Sequence, residues 1–117
     1  MYDPEKVILQ AAALDSDAQA VETMLLNALT PVHAGESLHI GSPEPAFGWT
    51  FYPVSIKYAA IRQLASLPGT DILNVRGDSM EQKFVNWLNQ QAKKKGMAER
   101  LHFTLISDLR SSRYGLF

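Results

Sequence analysis

The sequence predicts a single α/β domain over residues 1–117, with an α+β arrangement as the alternative. A chain of 117 residues has the usual size of one domain. Its hydrophobic content of 46% and its charged content of 20% are those of a globular protein. Helical and strand-like periods alternate along the chain. We therefore expect a three- or four-stranded mixed sheet with helices packed on it and an amino-terminal helical pair.

The helical pair is predicted close to the amino terminus. Asp3 and Pro4 are favoured as the cap and the first residue of a helix, and apolar residues follow them at helical spacing. Ser16 has the spacing of a capping box and starts a second apolar stripe. We expect helices over residues 4–14 and 17–29, joined by a short turn.

Two strands and a third helix are predicted next. Apolar residues alternate with polar or small residues in two stretches, which contain Leu38 and Ile40, then Phe47, Trp49 and Phe51. This period predicts strands over 37–41 and 47–52 that pair as a hairpin. Pro53 fits the first turn of a helix over 54–66, which ends before Pro68.

The segment Thr70–Gly96 has the clearest pattern in the chain. A short apolar run predicts a buried strand over 71–75, and Asp78 or Ser79 then caps a helix over 80–95. Gly96 supplies the left-handed residue that ends this helix. A last strand is predicted over 101–106, and the strand–helix–strand order implies a right-handed crossover with two parallel strands.

The predicted core combines the apolar positions of these elements. It contains Leu25, Leu29, Ile40, Ile61, Leu64, Ile72, Val75, Phe84, Leu88, Phe103 and Leu105.

Charge is distributed unevenly along the chain, although the net charge is only −1. Residues 1–75 carry three basic and eight acidic residues, a net charge of −5, and residues 76–117 carry eight and four, a net charge of +4. Such polarity suits self-association or an acidic partner, unless folding mixes the two halves. The segment 108–117, with two arginines and a terminal aromatic residue, is expected to be a flexible or partner-binding tail.

Several functional classes are excluded or disfavoured by composition. The chain has no cysteine, which excludes disulfides and thiolate chemistry and fits a reducing compartment. No secretion signal or membrane span is visible, so a cytoplasmic location is expected. His33, His39 and His102 lack ligand spacing, so we predict neither a metal nor a cofactor. The pI near 6.3 disfavours nucleic acid as the partner.

One motif suggests an enzyme. Gly77, Asp78 and Ser79 lie between the predicted strand and helix, and the hexapeptide VRGDSM resembles the nucleophile segment of LexA-type peptidases. A strand leading into Gly-Asp-Ser also resembles the first block of GDSL-type esterases. Either resemblance implies Ser79 as the nucleophile, but no lysine follows position 95 and His102 lacks the esterase Asp-x-x-His context. The alternative is that Asp78 and Ser79 only cap the helix.

The predicted binding site depends on the parallel pair of strands. The carboxyl ends of parallel strands share one edge, where open α/β sheets place ligands. Charged or hydroxyl residues follow both strands, namely Arg76, Asp78, Ser79, Asp108, Arg110 and Arg113. They suit a polar protein surface or an anionic ligand, unless they form only a structural cluster.

The sequence therefore favours a non-enzymatic interaction protein over an enzyme. It is expected to bind another protein or itself, and the aromatic-rich segment 47–58 supports a binding role. The alternatives are a hydrolase with Ser79 as nucleophile and a binder of an anionic ligand or nucleic acid through the basic half.

Overall fold

An antiparallel sheet of five strands organises the protein, whose computed structural model describes residues 6–14, 17–32, 37–97 and 99–105. The strands are β1 (Lys6–Leu14), β2 (Leu38–Ile40), β3 (Glu44–Ala46), β4 (Trp49–Lys57) and β5 (Leu101–Leu105). The helices are α1 (Ala18–Leu29), α2 (Tyr58–Ser66) and α3 (Met80–Lys94), with short 3₁₀ turns at Thr30–Val32 and Ile72–Asn74. The mixed α/β content is confirmed, whereas the predictions of a mixed sheet, of three or four strands and of a helical pair are wrong.

The strands lie in the order β2-β4-β1-β5, and β3 also pairs with β4, beside β2. Both β1 and β2 are antiparallel to β4, so they run parallel to each other with β4 between them. This is the split β-α-β arrangement of ferredoxin-like folds, with an added short strand and an added helix. The arrangement specifies a scaffold and not an activity.

All three helices lie against one face of the sheet. Alternate residues of the long strands are buried beneath the helices, including Leu9, Ile56 and Phe103. Every residue of the predicted core is buried except Ile40, which is half-buried on the short edge strand β2. Within the described ranges no helix is long and apolar enough to cross a bilayer.

Residues 6–14 of the predicted helix over 4–14 instead form the central strand β1. Val7 and Leu9 alternate with Lys6 and Ile8, and only the first pair is buried. The alanines that follow satisfy both a period of two and a period of 3.6, because they lie on both faces of either element. Two β-branched residues at the start of the segment were the signal that favoured a strand.

The predicted strand over 71–75 is a 3₁₀ turn at Ile72–Asn74 followed by extended Val75. Ile72 and Val75 are buried as predicted, but the segment joins no sheet. The parallel pair with 101–106 is therefore wrong, and β5 pairs antiparallel with β1, with Ala11 opposite Phe103.

The boundary between strand and helix near Pro53 was also wrong, because β4 continues to Lys57 and α2 begins at Tyr58. The backbone oxygen of Pro53 accepts a hydrogen bond from the Gly41 N–H at 2.7 Å. A strand residue directs its nitrogen and its oxygen to the same neighbour. The missing N–H of Pro53 therefore faces the gap between β2 and β3, where no ladder bond is lost. The predicted hairpin was wrong in register, since Leu38 and Ile40 pair with residues 56 and 54.

A side chain of α3 covers one position on the free edge of β5. Asn89 accepts a hydrogen bond from the Phe103 N–H at 2.8 Å and donates one to the Phe103 C=O at 2.9 Å. The amide thus imitates a neighbouring strand. An unprotected edge is a template for pairing with another chain, so this contact blocks one position of the β5 edge.

We expect Asn89→Ala to lower the free energy of unfolding by about 2 kcal/mol, because two backbone groups of a buried residue lose their partners. Gln90→Ala, at the next and exposed position of the helix, is the control and should change it by less than about 0.5 kcal/mol. Urea denaturation of both variants measures the difference. Equal midpoints would show that the edge does not depend on Asn89.

Candidate interaction surface

The predicted site at the start of α3 is held by structural contacts. Arg76 and Asp78 are exposed, and Ser79 is half-buried. The Ser79 hydroxyl accepts a hydrogen bond from the Gln82 N–H at 3.1 Å, which makes it the N-cap of α3. This contact accounts for the serine at that position. No histidine or lysine among the described residues hydrogen-bonds to the hydroxyl.

The segment before this cap is fixed by polar side chains of α3. Lys83 donates hydrogen bonds to the backbone oxygens of Leu73 at 3.1 Å and Val75 at 2.9 Å. Asn86 donates to the Arg76 oxygen at 2.7 Å. Three backbone oxygens of this segment therefore bond to a helix where a sheet partner was predicted. The amine of Lys83 is engaged by two carbonyl groups, which does not suit a general base for Ser79.

The other members of the predicted site, Asp108, Arg110 and Arg113, lie outside the described residues. The structure brings Arg76, Asp78 and Ser79 together and leaves their proximity to the last three untested. The geometric reason for expecting that proximity was the parallel pair, which does not exist. The six-residue site therefore stays a prediction.

The described histidines are too dispersed for a shared ligand site. His39 lies on β2 and His102 on β5, at opposite edges of the sheet, and both are exposed. In the described part of the chain no three side chains of the types that ligate metals come together. His33 lies outside the described residues.

The sheet face opposite the helices is a surface that no described element covers, and we call it the open face. The residues of the long strands on it are Lys6, Ile8, Gln10, Ala12 and Leu14 of β1 and Trp49, Phe51, Pro53, Ser55 and Lys57 of β4. The short strands add His39, Glu44 and Ala46, and β5 adds His102 and Thr104. The part of it next to the turn between β3 and β4 is apolar, since Trp49 pairs with Leu14 and Phe51 with Ala12.

Next to the open face stands an unusual hairpin tip. Phe47 and Gly48 form the two-residue turn between β3 and β4, with φ angles of 56° and 82°. Positive φ at both positions is typical of a type I′ turn, which favours Asn-Gly and disfavours a bulky aromatic residue. The side chain of Phe47 is fully exposed, at 102%. A strained, solvent-exposed aromatic residue has no stabilising role in the isolated chain, which points to a role in binding.

The charged residues of the open face lie at its ends. Lys6 and Lys57 are directly opposite each other at one end of the β1–β4 pair. At the other end Glu44 lies opposite Phe51, on the short strand β3. The face thus has a basic end at Lys6 and Lys57 and an apolar end at Trp49 and Leu14, with Glu44 close to the apolar end.

The sequence indicated only part of this surface. The aromatic residues of 47–58 were singled out, but the structure separates them, because Thr50 and Val54 point into the core while Trp49 and Phe51 point away from it. The contribution of β1 was missed because that segment was predicted to be a helix. Alternation of Ile8 with Val7 and Leu9 was the available signal.

Comparisons with protein-family models, with curated proteins and with solved structures find no match for this chain. Function is therefore inferred from the surface itself.

We expect Phe47→Asn to raise the free energy of unfolding by about 0.5–1 kcal/mol, because asparagine tolerates positive φ and completes an Asn-Gly type I′ turn. No buried contact is lost, since the side chain is fully exposed. Thermal unfolding measures the change. Phe47→Val places a β-branched residue at the same position and should lower the free energy of unfolding. Destabilisation by Asn would show that Phe47 packs on the folded chain.

Proposed function

We propose that the protein is a non-enzymatic interaction module that binds another macromolecule through the open face. The observation that supports this proposal is the pairing of an uncovered apolar strip, containing Trp49 and Phe51, with the fully exposed Phe47 at the adjoining turn. Aromatic residues are enriched at protein interfaces and concentrate binding energy there. The lack of cysteine is compatible with action in the cytoplasm.

Antiparallel sheets with helices on one face commonly expose polar residues on the other. Here the uncovered side of the two longest strands holds Ile8, which is 40% exposed, together with Leu14 and the aromatic pair. Such a contiguous apolar strip rimmed by charged side chains is typical of a binding surface. Its rim of Lys57 and Glu44 would fix orientation more than affinity.

The hydrolase alternative has less support. The Ser79 hydroxyl is used as a helix cap, and the nearby Lys83 amine bonds to two backbone oxygens. Among the described residues, the histidines lie on the open face and the serine on the helical side of the sheet. A nucleophile needs its base within hydrogen-bonding reach.

Site-specific photo-crosslinking in cells tests the proposal, because it captures whichever macromolecule touches a chosen position. A photoreactive phenylalanine analogue placed at Ser55 samples the open face, and the same analogue at Glu22, exposed on α1, is the matched control. We expect discrete higher-mass adducts from position 55 and much weaker ones from position 22. Equal labelling at the two positions, or adducts only from position 22, would contradict the proposal.

A further inference from the structure

We propose that the macromolecule bound by the open face is a second copy of this chain, packed face to face about a two-fold axis that runs across the strands. The inference rests on the proposed function and specifies its partner. A two-fold axis makes the interface isologous, so the same patch must complement itself. The distribution of charges on the open face meets that condition, and the area of the face indicates how strongly two copies would bind.

The area of the face suits a weak dimer. β1 and β4 are nine residues long and paired along their whole length, which gives about 30 Å along the strands. β5 has five residues, and β2 and β3 have three each. At about 16 Å² of sheet for each residue, the five strands cover about 460 Å² per copy. This is in the range of weak and transient interfaces, which bury less than about 600 Å² per partner. We therefore expect a dimer with a dissociation constant of order micromolar.

The charges select the direction of the axis. The middle of the nine-residue register is the pair Gln10 and Pro53. An axis across the strands at this point places Trp49 over Lys57 of the partner subunit. A cation over an indole ring is attractive. An axis along β4 would instead stack Lys57 on itself across the interface, which is repulsive.

The same axis also pairs the short strands. Glu44 lies opposite Phe51, two residues before Pro53, and His39 lies opposite Ser55, two residues after it. Rotation therefore brings Glu44 over His39 of the partner subunit, a carboxylate against an imidazole.

Single-stranded nucleic acid would also stack on aromatic residues, but it needs a basic groove along its backbone. The open face has its two lysines at one end only and a carboxylate beside Phe51.

Light scattering over a range of concentrations measures the self-association. We expect a mass of twice 13.0 kDa at high concentration for the natural chain. Phe51→Lys should raise the dissociation constant about 30-fold or more, because it places a charge in the apolar part of the face. Leu26→Lys replaces an apolar residue that is 41% exposed on α1, and it should leave the dimer unchanged. Circular dichroism confirms that both variants fold.

A mixing experiment tests the axis. Trp49→Lys places two like charges in each self-contact, and Lys57→Glu removes the cation over each indole, so each variant alone should be monomeric. In a mixed dimer the introduced lysine of one copy faces the introduced glutamate of the other, and one natural contact between Trp49 and Lys57 remains, so dimer should return. A natural chain that stays monomeric at about 100 µM, well above a micromolar dissociation constant, overturns the inference. The inference is also overturned if Leu26→Lys loses the dimer and Phe51→Lys does not, or if mixing the two variants does not restore the dimer.

These outcomes are separable from failure of the proposed function. If the crosslinker at Ser55 yields adducts with a different protein or with nucleic acid, and the chain is monomeric, the face binds a partner but not itself. If that position yields no adduct and the chain is monomeric, both proposals fail. An adduct within one chain that includes residues 106–117 would show that the protein covers its own face.

Discussion

Replacing Phe84 by alanine is expected to lower the free energy of unfolding by about 3–5 kcal/mol, a large part of the stability of a domain this size. Phe84 lies on α3 and is fully buried, and its ring packs near that of Trp87, with centroids 6.1 Å apart. Alanine would leave a cavity between α3 and the sheet that the neighbouring side chains cannot fill. Urea denaturation followed by circular dichroism measures the loss.

The matched control is Phe47→Ala, which removes the same atoms from a side chain that is fully exposed. Its free energy of unfolding should change by less than about 0.5 kcal/mol. If the two variants were equally destabilised, Phe47 would have to pack in the folded chain and could not be a free binding residue. If neither were destabilised, α3 would not pack on the sheet as described.

The part of the fold that the sequence predicted well is the part whose signals are local. α3 begins at the capping serine, shows an apolar stripe through Phe84 and Leu88, and ends just before Gly96 in the left-handed conformation. α1 has the same kind of continuous stripe. β5 alternates strictly, with Phe103 between exposed His102 and half-buried Thr104. In these elements propensity, period and end signals agree, which is the condition for a reliable prediction.

The central strand was missed because its composition is ambiguous. Ala11 and Ala13 are fully buried in β1, between β4 on one side and β5 on the other. Alanine has the highest helix propensity and a poor strand propensity, so a local criterion favours helix. Tertiary context reverses that preference, because small residues at these positions allow the helices to approach the middle of the sheet.

The segment 70–76 was missed for a different reason. Its apolar residues are buried as a strand requires, but its carbonyl groups are satisfied by side chains of α3, among them Lys83 and Trp87, whose indole N–H donates to the Thr70 oxygen at 2.8 Å. These bonds join residues eight or more positions apart, and a strand pattern carries no information about them. The predicted crossover and the predicted binding edge both depended on that strand, so the structure does not support them either.

Single residues of the open face could be identified from the sequence, but the surface that they form together could not. Each of Ile8, Trp49 and Phe51 is an ordinary apolar residue in a linear pattern. Only the register that places β1 beside β4 shows that they share one surface, with Lys6 and Lys57 at its end. A one-residue error in that register would turn the whole set to the opposite face.

Gly77→Ala is the second substitution from which we expect a large effect, a loss of about 2–3 kcal/mol. A methyl group at this position would lie 2.8 Å from the backbone nitrogen of Lys83 and 3.1 Å from the backbone carbon of Gln82. The Lys83 N–H donates a hydrogen bond to the backbone oxygen of Ser79 at 3.0 Å, in the first turn of α3. The backbone would have to shift, and the shift would disturb the cap that Ser79 provides.

Gly96→Ala is the control, because no atom lies within 4 Å of the added methyl group, while the backbone has a φ of 75°. Gly96→Ala should lower the free energy of unfolding by only about 1 kcal/mol, because alanine disfavours the left-handed conformation. Gly77 also has a positive φ, of 158°, which alanine rarely adopts. The excess loss in Gly77→Ala over Gly96→Ala therefore measures the effect of close packing. If Gly77→Ala were no worse than Gly96→Ala, then the glycine of the Gly-Asp-Ser motif would not be required by packing. A further explanation would then be needed for it, which would restore the case for chemistry at Ser79.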